Sequence, residues 1–280
     1  MTRIVKKRFL NDSIVEVVFD APDIAKKAMP GQFIIFRVDE EGERIPLTIA
    51  GYDREMGTIT VIAQTVGYST KKLAAKEEGE YISDLVGPLG RPSELESNIK
   101  VAVIGGGLGC AIAYPQAKAL HDMNCEVDII AGFRSNDLII LEDEMKAVSD
   151  KLIICTDDGS NGNKALVTDA LKALIENGVK YDLVIAIGPP IMMKFVCLLT
   201  KQYNIKTIVS LNPIMIDGTG MCGGCRVTVG GKIKFACVDG PDFDGYEVDF
   251  DELMRRNRAY SGDEKKRDED CKLFQGVDIK

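Results

Sequence analysis

The sequence predicts an antiparallel β-barrel followed by a parallel, Rossmann-like α/β sheet and a small cysteine-rich segment, and three observations lead there. Residues 4–95 carry short apolar runs, at 14–19, 33–38 and 57–64, broken by glycine, proline and acidic residues. That is the pattern of paired antiparallel strands. From residue 98 the texture changes to strand, glycine turn, helix and strand, and the alternation then repeats. Residues 212–240 are rich in glycine and cysteine and too poor in periodic apolar residues to support themselves without a metal.

The barrel, expected over 1–96, carries two segments with binding chemistry. Arg44-Ile-Pro46-Leu47-Thr48 opens one strand, where an arginine can pair with a phosphate and a threonine hydroxyl can reach a ring nitrogen. Gly67-Tyr-Ser69-Thr70 opens a helix expected over 70–75, whose N-terminus can face a diphosphate. A solvent-facing arginine and an ordinary helix cap explain the same residues.

In the parallel sheet, expected over 97–211, a strand at 100–104 leads through Gly105-Gly106-Gly107-Leu108-Gly109 into a helix at 109–123 and a strand at 126–132. Further elements are expected at 152–156, 166–177, 183–187, 192–203 and 206–209. Such a turn aims backbone amides at a pyrophosphate, although Cys110 stands where the third glycine of G-x-G-x-x-G belongs, so a merely tight turn remains the alternative. A second loop, Gly188-Pro189-Pro190, follows another strand of this sheet and meets the first at the crevice where such sheets bind ligands. Arg134 follows the second strand, where it could meet a 2′-phosphate, whereas Glu126 and Asp128 come too early in that strand to hold a ribose.

The cysteine-rich segment, expected over 212–245, holds Asp217, Cys222 and Cys225 in Asp-Gly-Thr-Gly-Met-Cys-Gly-Gly-Cys, with Cys237 after a hairpin expected over 226–236. Three thiolates and a carboxylate can surround one metal centre, and the glycines leave room for inorganic sulfide. Structural zinc in an Asp-Cys₃ shell is the competing reading, which would make the chain a non-catalytic nucleotide-sensing module. The remainder, 246–280, is a C-terminal extension with a run of mixed charge at 262–270.

With 280 residues, 45% apolar and 28% charged, the chain can bury a real core, and a net charge of −8 offers no basic footprint for nucleic acid. No run approaches the roughly 18 apolar residues of a membrane span. The basic N-terminus lacks an apolar signal core, which points to the cytoplasm and to free thiols or metal ligands among the eight cysteines. Cys110, Cys125, Cys155 and Cys197 read as buried core thiols, and Cys271 as incidental.

In the order of these motifs, from about residue 5 to 245, the chain resembles the ferredoxin–NADP⁺ reductase superfamily. The form it resembles is that of the dihydroorotate dehydrogenase B electron-transfer subunit and, closer still, the small subunit of NADH-dependent reduced ferredoxin:NADP⁺ oxidoreductase. The resemblance implies FAD held by Arg44, Pro46, Leu47, Thr48, Gly67, Ser69 and Thr70, with Thr48 at flavin N5. It implies a nicotinamide nucleotide held by Gly105, Gly106, Gly107, Gly109, Gly188 and Pro189, with Gly87-Pro88-Leu89-Gly90 linking the lobes. A [2Fe-2S] cluster would sit on Asp217, Cys222, Cys225 and Cys237, making the third part an iron–sulfur segment. Two departures stand out: Arg44 lies four residues before Thr48 with Leu47 in place of an aromatic, and Asp217 stands where the dihydroorotate-type subunit has cysteine. An aspartate there is characteristic of the ferredoxin:NADP⁺ small subunit. The resemblance further implies NAD(H) as the nucleotide, with NADP(H) left open by Arg134. It implies hydride transfer to flavin, single electrons to the cluster, and a heterodimer with a larger iron–sulfur flavoprotein subunit that handles ferredoxin in electron bifurcation.

Overall fold

Seven antiparallel strands build the N-terminal barrel: β1 (Thr2–Asn11), β2 (Ile14–Asp20), β3 (Phe33–Arg37), β4 (Ile45–Asp53), β5 (Thr58–Gln64), β6 (Tyr81–Ile82) and β7 (Asp84–Leu89). Helices α1 (Pro22–Ala25) and α2 (Tyr68–Ala75) interrupt them. The structure, a computed structural model, describes residues 1–263 and Lys266, so Cys271 and most of the mixed-charge run at 262–270 lie outside the described residues.

The strand order is β6-β1-β2-β5-β4-β3-β7. Its two edge strands, β6 and β7, are separated in sequence by Ser83 alone, so the sheet must curl until its edges meet. Alternation fills the inside: Val15, Val17 and Phe19 of β2 face Ile59, Val61 and Ala63 of β5 in the barrel core. Ile14 and Ile62, one residue out of phase, leave that core for an apolar cluster shared with the second sheet. Strand β3 is apolar on both faces, with Ile34 and Phe36 in the barrel core and Phe33 and Ile35 turned outward. Burying each such side chain contributes roughly 1.5–3 kcal/mol. The run Gly87-Pro88-Leu89 belongs to β7 itself, so the exit from the barrel begins at Gly90.

The second sheet is built from β8 (Lys100–Gly106), α3 (Gly109–Asp122), β9 (Glu126–Phe133), α4 (Glu142–Ala147), β10 (Lys151–Thr156), α5 (Val167–Glu176), β11 (Leu183–Ile187), α6 (Pro190–Gln202) and β12 (Lys206–Ser210). These five strands are parallel. Successive β8 residues feed opposite cores, Val101 and Val103 on the α3 side, Ala102 and Ile104 on the side of α5 and α6. Both faces are therefore covered, as a parallel sheet requires. Arg8 of β1 bonds Glu16 at 2.7 Å and Glu144 of α4 at 2.9 Å, tying the barrel to this lobe.

The C-terminal part comprises the hairpin β13 (Arg226–Val229) and β14 (Lys232–Phe235), then α7 (Ala236–Asp239), β15 (Asp242–Asp244) and α8 (Phe250–Asn257). Strand β15 pairs antiparallel with β12, giving the order β10-β9-β8-β11-β12-β15. Helix α8 is started by Asp249, whose carboxylate accepts from Glu252 N at 2.9 Å.

Candidate functional site

In the parallel sheet the chain runs outward from β8 through β9 to β10, then returns to the other side of β8 at β11. The carboxyl ends of β8 and β11 thus flank a topological switch point, where open α/β sheets leave a crevice. The barrel closes that crevice into a cavity of about 1000 Å³. This is the top of the roughly 300–1,000 Å³ range of ligand pockets. Its lining is largely apolar, with Ile45, Leu47 and Ile62 on the barrel side and Ile112, Ile187 and Met192 opposite. Among the described residues that line it, only Arg134 and Asp157 carry charge, and both are exposed. With no buried acid or base at its centre, the cavity suits a reaction that works by juxtaposition.

The structure divides the predicted residues into those at the cavity and those beside it. Pro46, Leu47 and Thr48 line it from β4, and Gly106, Gly107, Gly109, Arg134, Gly188 and Pro189 line it from the sheet. Gly105 does not: it packs against Cys110, whose sulfur would stand 2.6 Å from an added β-carbon. Gly107, at φ +56°, has open space where a β-carbon would point. The Gly107 amide is already given to Gly132 O at 2.8 Å, so the N-terminal end of α3 just beyond it supplies the remaining donors. The Cys110 thiol is fully buried and pushed up to about 12 by that burial, which makes it inert. Cys125, Cys155 and Cys197 are buried as well.

Arg44, Gly67, Ser69 and Thr70 lie off the cavity but next to one another. Ser69 Oγ, 4% exposed, donates to Glu43 Oε2 at 3.0 Å, which brings the start of α2 to the residue preceding Arg44. Thr70 closes the helix cap: its hydroxyl accepts from Gly67 N at 3.2 Å and donates to Gly67 O at 3.0 Å. An added β-carbon at Gly67 meets nothing within 4 Å, so the end of the helix is open above it. Asp128, set aside as a ribose ligand, is buried and accepts from Tyr181 OH at 2.6 Å.

The cysteine segment packs on the outer face of β3. Phe33 and Ile35 share one apolar cluster with Met215, Cys225, Ala236 and Cys237. Cys225 and Cys237 are buried with their sulfurs 3.1 Å apart, while Cys222 is exposed and accepts from Gly224 N at 3.4 Å. Asp217 is engaged locally: its carboxylate accepts from Thr219 N at 2.6 Å and Cys222 N at 2.7 Å, and these amides hold it below the usual carboxylate range. Among the described residues no three His, Cys, Asp or Glu side chains converge at metal distances. The structure therefore gathers two of the four predicted ligands and keeps the other two alongside. The donor set, three thiols with an amide already directed at one sulfur, suits an iron–sulfur centre. Gly218, at φ +75°, lets the loop lie on β3 and β7, since a β-carbon there would come within 2.8 Å of Ile35 and Leu89.

Motif reading missed Asp157 and the run Leu211-Asn212-Pro213, which also line the cavity. Both follow parallel strands, β10 and β12, and the switch-point rule applied to every strand end would have found them.

Comparison with known proteins agrees with this architecture. The iron–sulfur cluster binding domain of dihydroorotate dehydrogenase B matches residues 212–249. A dihydroorotate dehydrogenase B (NAD(+)) electron transfer subunit homolog of Thermotoga maritima is 48% identical over 265 residues, covering 95% of this chain and 93% of its own. The electron transfer subunit of dihydroorotate dehydrogenase B (NAD(+)) from Desulforamulus reducens is 33% identical over 238 residues, with 82% and 90% covered. Among solved structures, a chain of the NADH-dependent reduced ferredoxin-NADP oxidoreductase, solved for insight into flavin-based electron bifurcation, superposes with a TM-score of 0.91 at 47% identity. It covers 96% of this chain and 97% of its own.

Proposed function

Because this chain belongs to the family of dihydroorotate dehydrogenase B electron transfer subunits, we propose that it is the small electron-transfer subunit of an electron-bifurcating NADH-dependent ferredoxin:NADP⁺ oxidoreductase. The observation that carries this is the double role of β3. Phe33 lines the cavity and also shares an apolar cluster with Cys225 and Cys237, so one side chain of β3 belongs to both the crevice and the surroundings of the thiols. FAD and a [2Fe-2S] cluster, when bound, would supply the redox chemistry: hydride acceptance from NADH and its conversion to single-electron transfer.

The chain's own residues bind and align. Pro46, Leu47 and Thr48 would flank the flavin ring, with the Thr48 hydroxyl toward N5, while Arg44 and Ser69 would hold its phosphates at the start of α2, an end shaped by Gly67 and the Thr70 cap. Gly105 and Gly109 seat α3 against the sheet so that Gly106 and Gly107, with Gly188 and Pro189, admit the nicotinamide nucleotide. Arg134 serves the adenosine end. The apolar walls exclude water, and no proton need move between protein groups. Asp217, Cys222, Cys225 and Cys237 would hold the cluster. A larger iron–sulfur flavoprotein partner receives the electrons and handles ferredoxin, in the cytoplasm.

Service to dihydroorotate oxidation is the second reading, favoured by the match of residues 212–249 to the dihydroorotate-type iron–sulfur domain. Asp217, by resemblance, separates the two. Purified protein should be coloured, contain FAD and two irons per chain, and reduce an acceptor dye with NADH. A colourless protein holding zinc would overturn the proposal.

A further inference from the structure

Asp242 opens β15 at the junction of all three parts of the chain, and its carboxyl is turned inward. Oδ2 accepts from Ser93 Oγ at 2.6 Å and from Gln116 Nε2 at 3.2 Å. Ser210, opposite Asp242 across the β12–β15 pair, is also near the same carboxyl but makes no hydrogen bond to Oδ1. The neighbours thus come from the barrel exit, from α3 and from β12, and every one of them is neutral.

Two acceptors at this junction have no donor: Asp242 Oδ1 and Gln116 Oε1, both sealed from solvent, with Gln116 itself 0% exposed. An ionised carboxylate only accepts, so it leaves both atoms orphaned. Buried polar groups are rarely left so. Turning the Gln116 amide over would offer its N–H to Oδ1 but set its oxygen against Oδ2, so one buried acceptor would still lack a donor. One proton on Asp242 Oδ1 repairs both, because the acid hydroxyl then donates to Gln116 Oε1 while the amide N–H donates to Oδ2, closing a cyclic acid–amide pair. Burial independently pushes the Asp242 carboxyl above the usual carboxylate range.

We propose that Asp242 is held as a neutral carboxylic acid paired with Gln116, a positioning pair that locks the cysteine segment to the nucleotide sheet without a fixed negative charge beside the electron path. The location gives this a use. Ser210 and Pro241 line the cavity, and Cys237 lies just upstream on the same segment. A buried carboxylate between them would oppose every electron arriving on either side. The benefit to electron transfer rests on the proposed function; the protonation of Asp242 does not.

The test uses the full chain with its cofactors and compares wild type with Asp242→Asn and Asp242→Ala. Asparagine reproduces the neutral pair, its N–H donating to Gln116 Oε1 and its oxygen accepting from Nε2. Asp242→Asn should therefore fold, keep flavin and cluster midpoint potentials unchanged, and remove one carboxylic-acid carbonyl band from the infrared spectrum at neutral pH. Asp242→Ala should lose iron to a chelator about tenfold faster, as loss of one buried pair implies, with Asp242→Asn restoring the wild-type rate. Absence of that band from the wild-type minus Asp242→Asn difference spectrum, or potentials that rise in Asp242→Asn as on losing a negative charge, overturns the proposal. The infrared reading needs no electron transfer: a band present in a chain without a cluster would sink the proposed function and leave the pair standing.

Discussion

At Gly109 an added β-carbon would stand 2.3 Å from Ile187 O, whereas at Gly107 it would meet nothing within 4 Å. The two glycines of one turn therefore do different work. Gly109 lets α3 lie directly on the end of β11, and Gly107 supplies a left-handed backbone. Gly109→Ala must push helix from strand, which we expect to cost about 3 kcal/mol or more and to abolish nucleotide binding. Gly107→Ala should cost roughly 1–2 kcal/mol, the penalty of a left-handed residue, and leave the fold in place. Urea denaturation of both variants with an NADH titration checks this; equal losses would show the turn to be uniform. A glycine-rich motif is legible in sequence as a turn, but which glycine faces a neighbour and which faces open space depends on β11, some eighty residues away in the chain. The same holds for the acids. Asp217 stood out by its spacing to the cysteines, while Asp242, in an Asp-Phe-Asp run without motif or period, could be noticed only once Gln116 and Ser93 were beside it.

Helix α2 separates capping from binding within two adjacent residues. The Thr70 hydroxyl is closed on Gly67, whereas the Ser69 hydroxyl is lent to Glu43, a carboxylate that a phosphate can replace. Thr70→Ala should lower stability by about 0.5–2 kcal/mol with FAD affinity nearly unchanged. Ser69→Ala should weaken FAD about tenfold, the worth of one charge-assisted bond. Thermal melts and flavin titrations on both variants check the split, and a reversed pattern would move the phosphate contact to Thr70. Most elements could be read beforehand because their periods are clean. The strand at 183–187 and the helix beginning at Gly109 emerge where apolar spacing demanded them. Strand β1 was harder, since Lys6, Lys7 and Arg8 interrupt its alternation, and Lys7 is satisfied by the carbonyls of Ala74 and Lys76 together with the Glu77 carboxylate at 3.2 Å. Helices α4 and α8 are short, and α8 is recognisable mainly through its packing on α6.

Across the whole molecule the barrel, the parallel sheet and the cysteine segment meet around β3 and Asp242, so cavity and thiols are held at fixed separation. One flavin, one nucleotide site and one cluster suffice to oxidise NADH and pass electrons singly; bifurcation needs a second flavin and further clusters. The scattered cysteines of the described residues are buried and cannot supply them. The isolated chain should therefore reduce a dye with NADH but not drive ferredoxin reduction with NADPH until the larger subunit is added. Coupled ferredoxin reduction by this polypeptide alone would sink the subunit assignment. Around the thiols, Ile216, Met221, Ile233 and Val238 are exposed, an apolar rim suited to such a partner. Strand β15 has a consequence of another kind. Parallel strand β12 would otherwise end the sheet with its hydrogen-bonding edge bare, a template on which a second copy could polymerise. Three residues beyond the cysteines occupy that edge, so the segment proposed to carry the cluster also covers the sheet edge, and disrupting β15 is expected to lower solubility as well as activity.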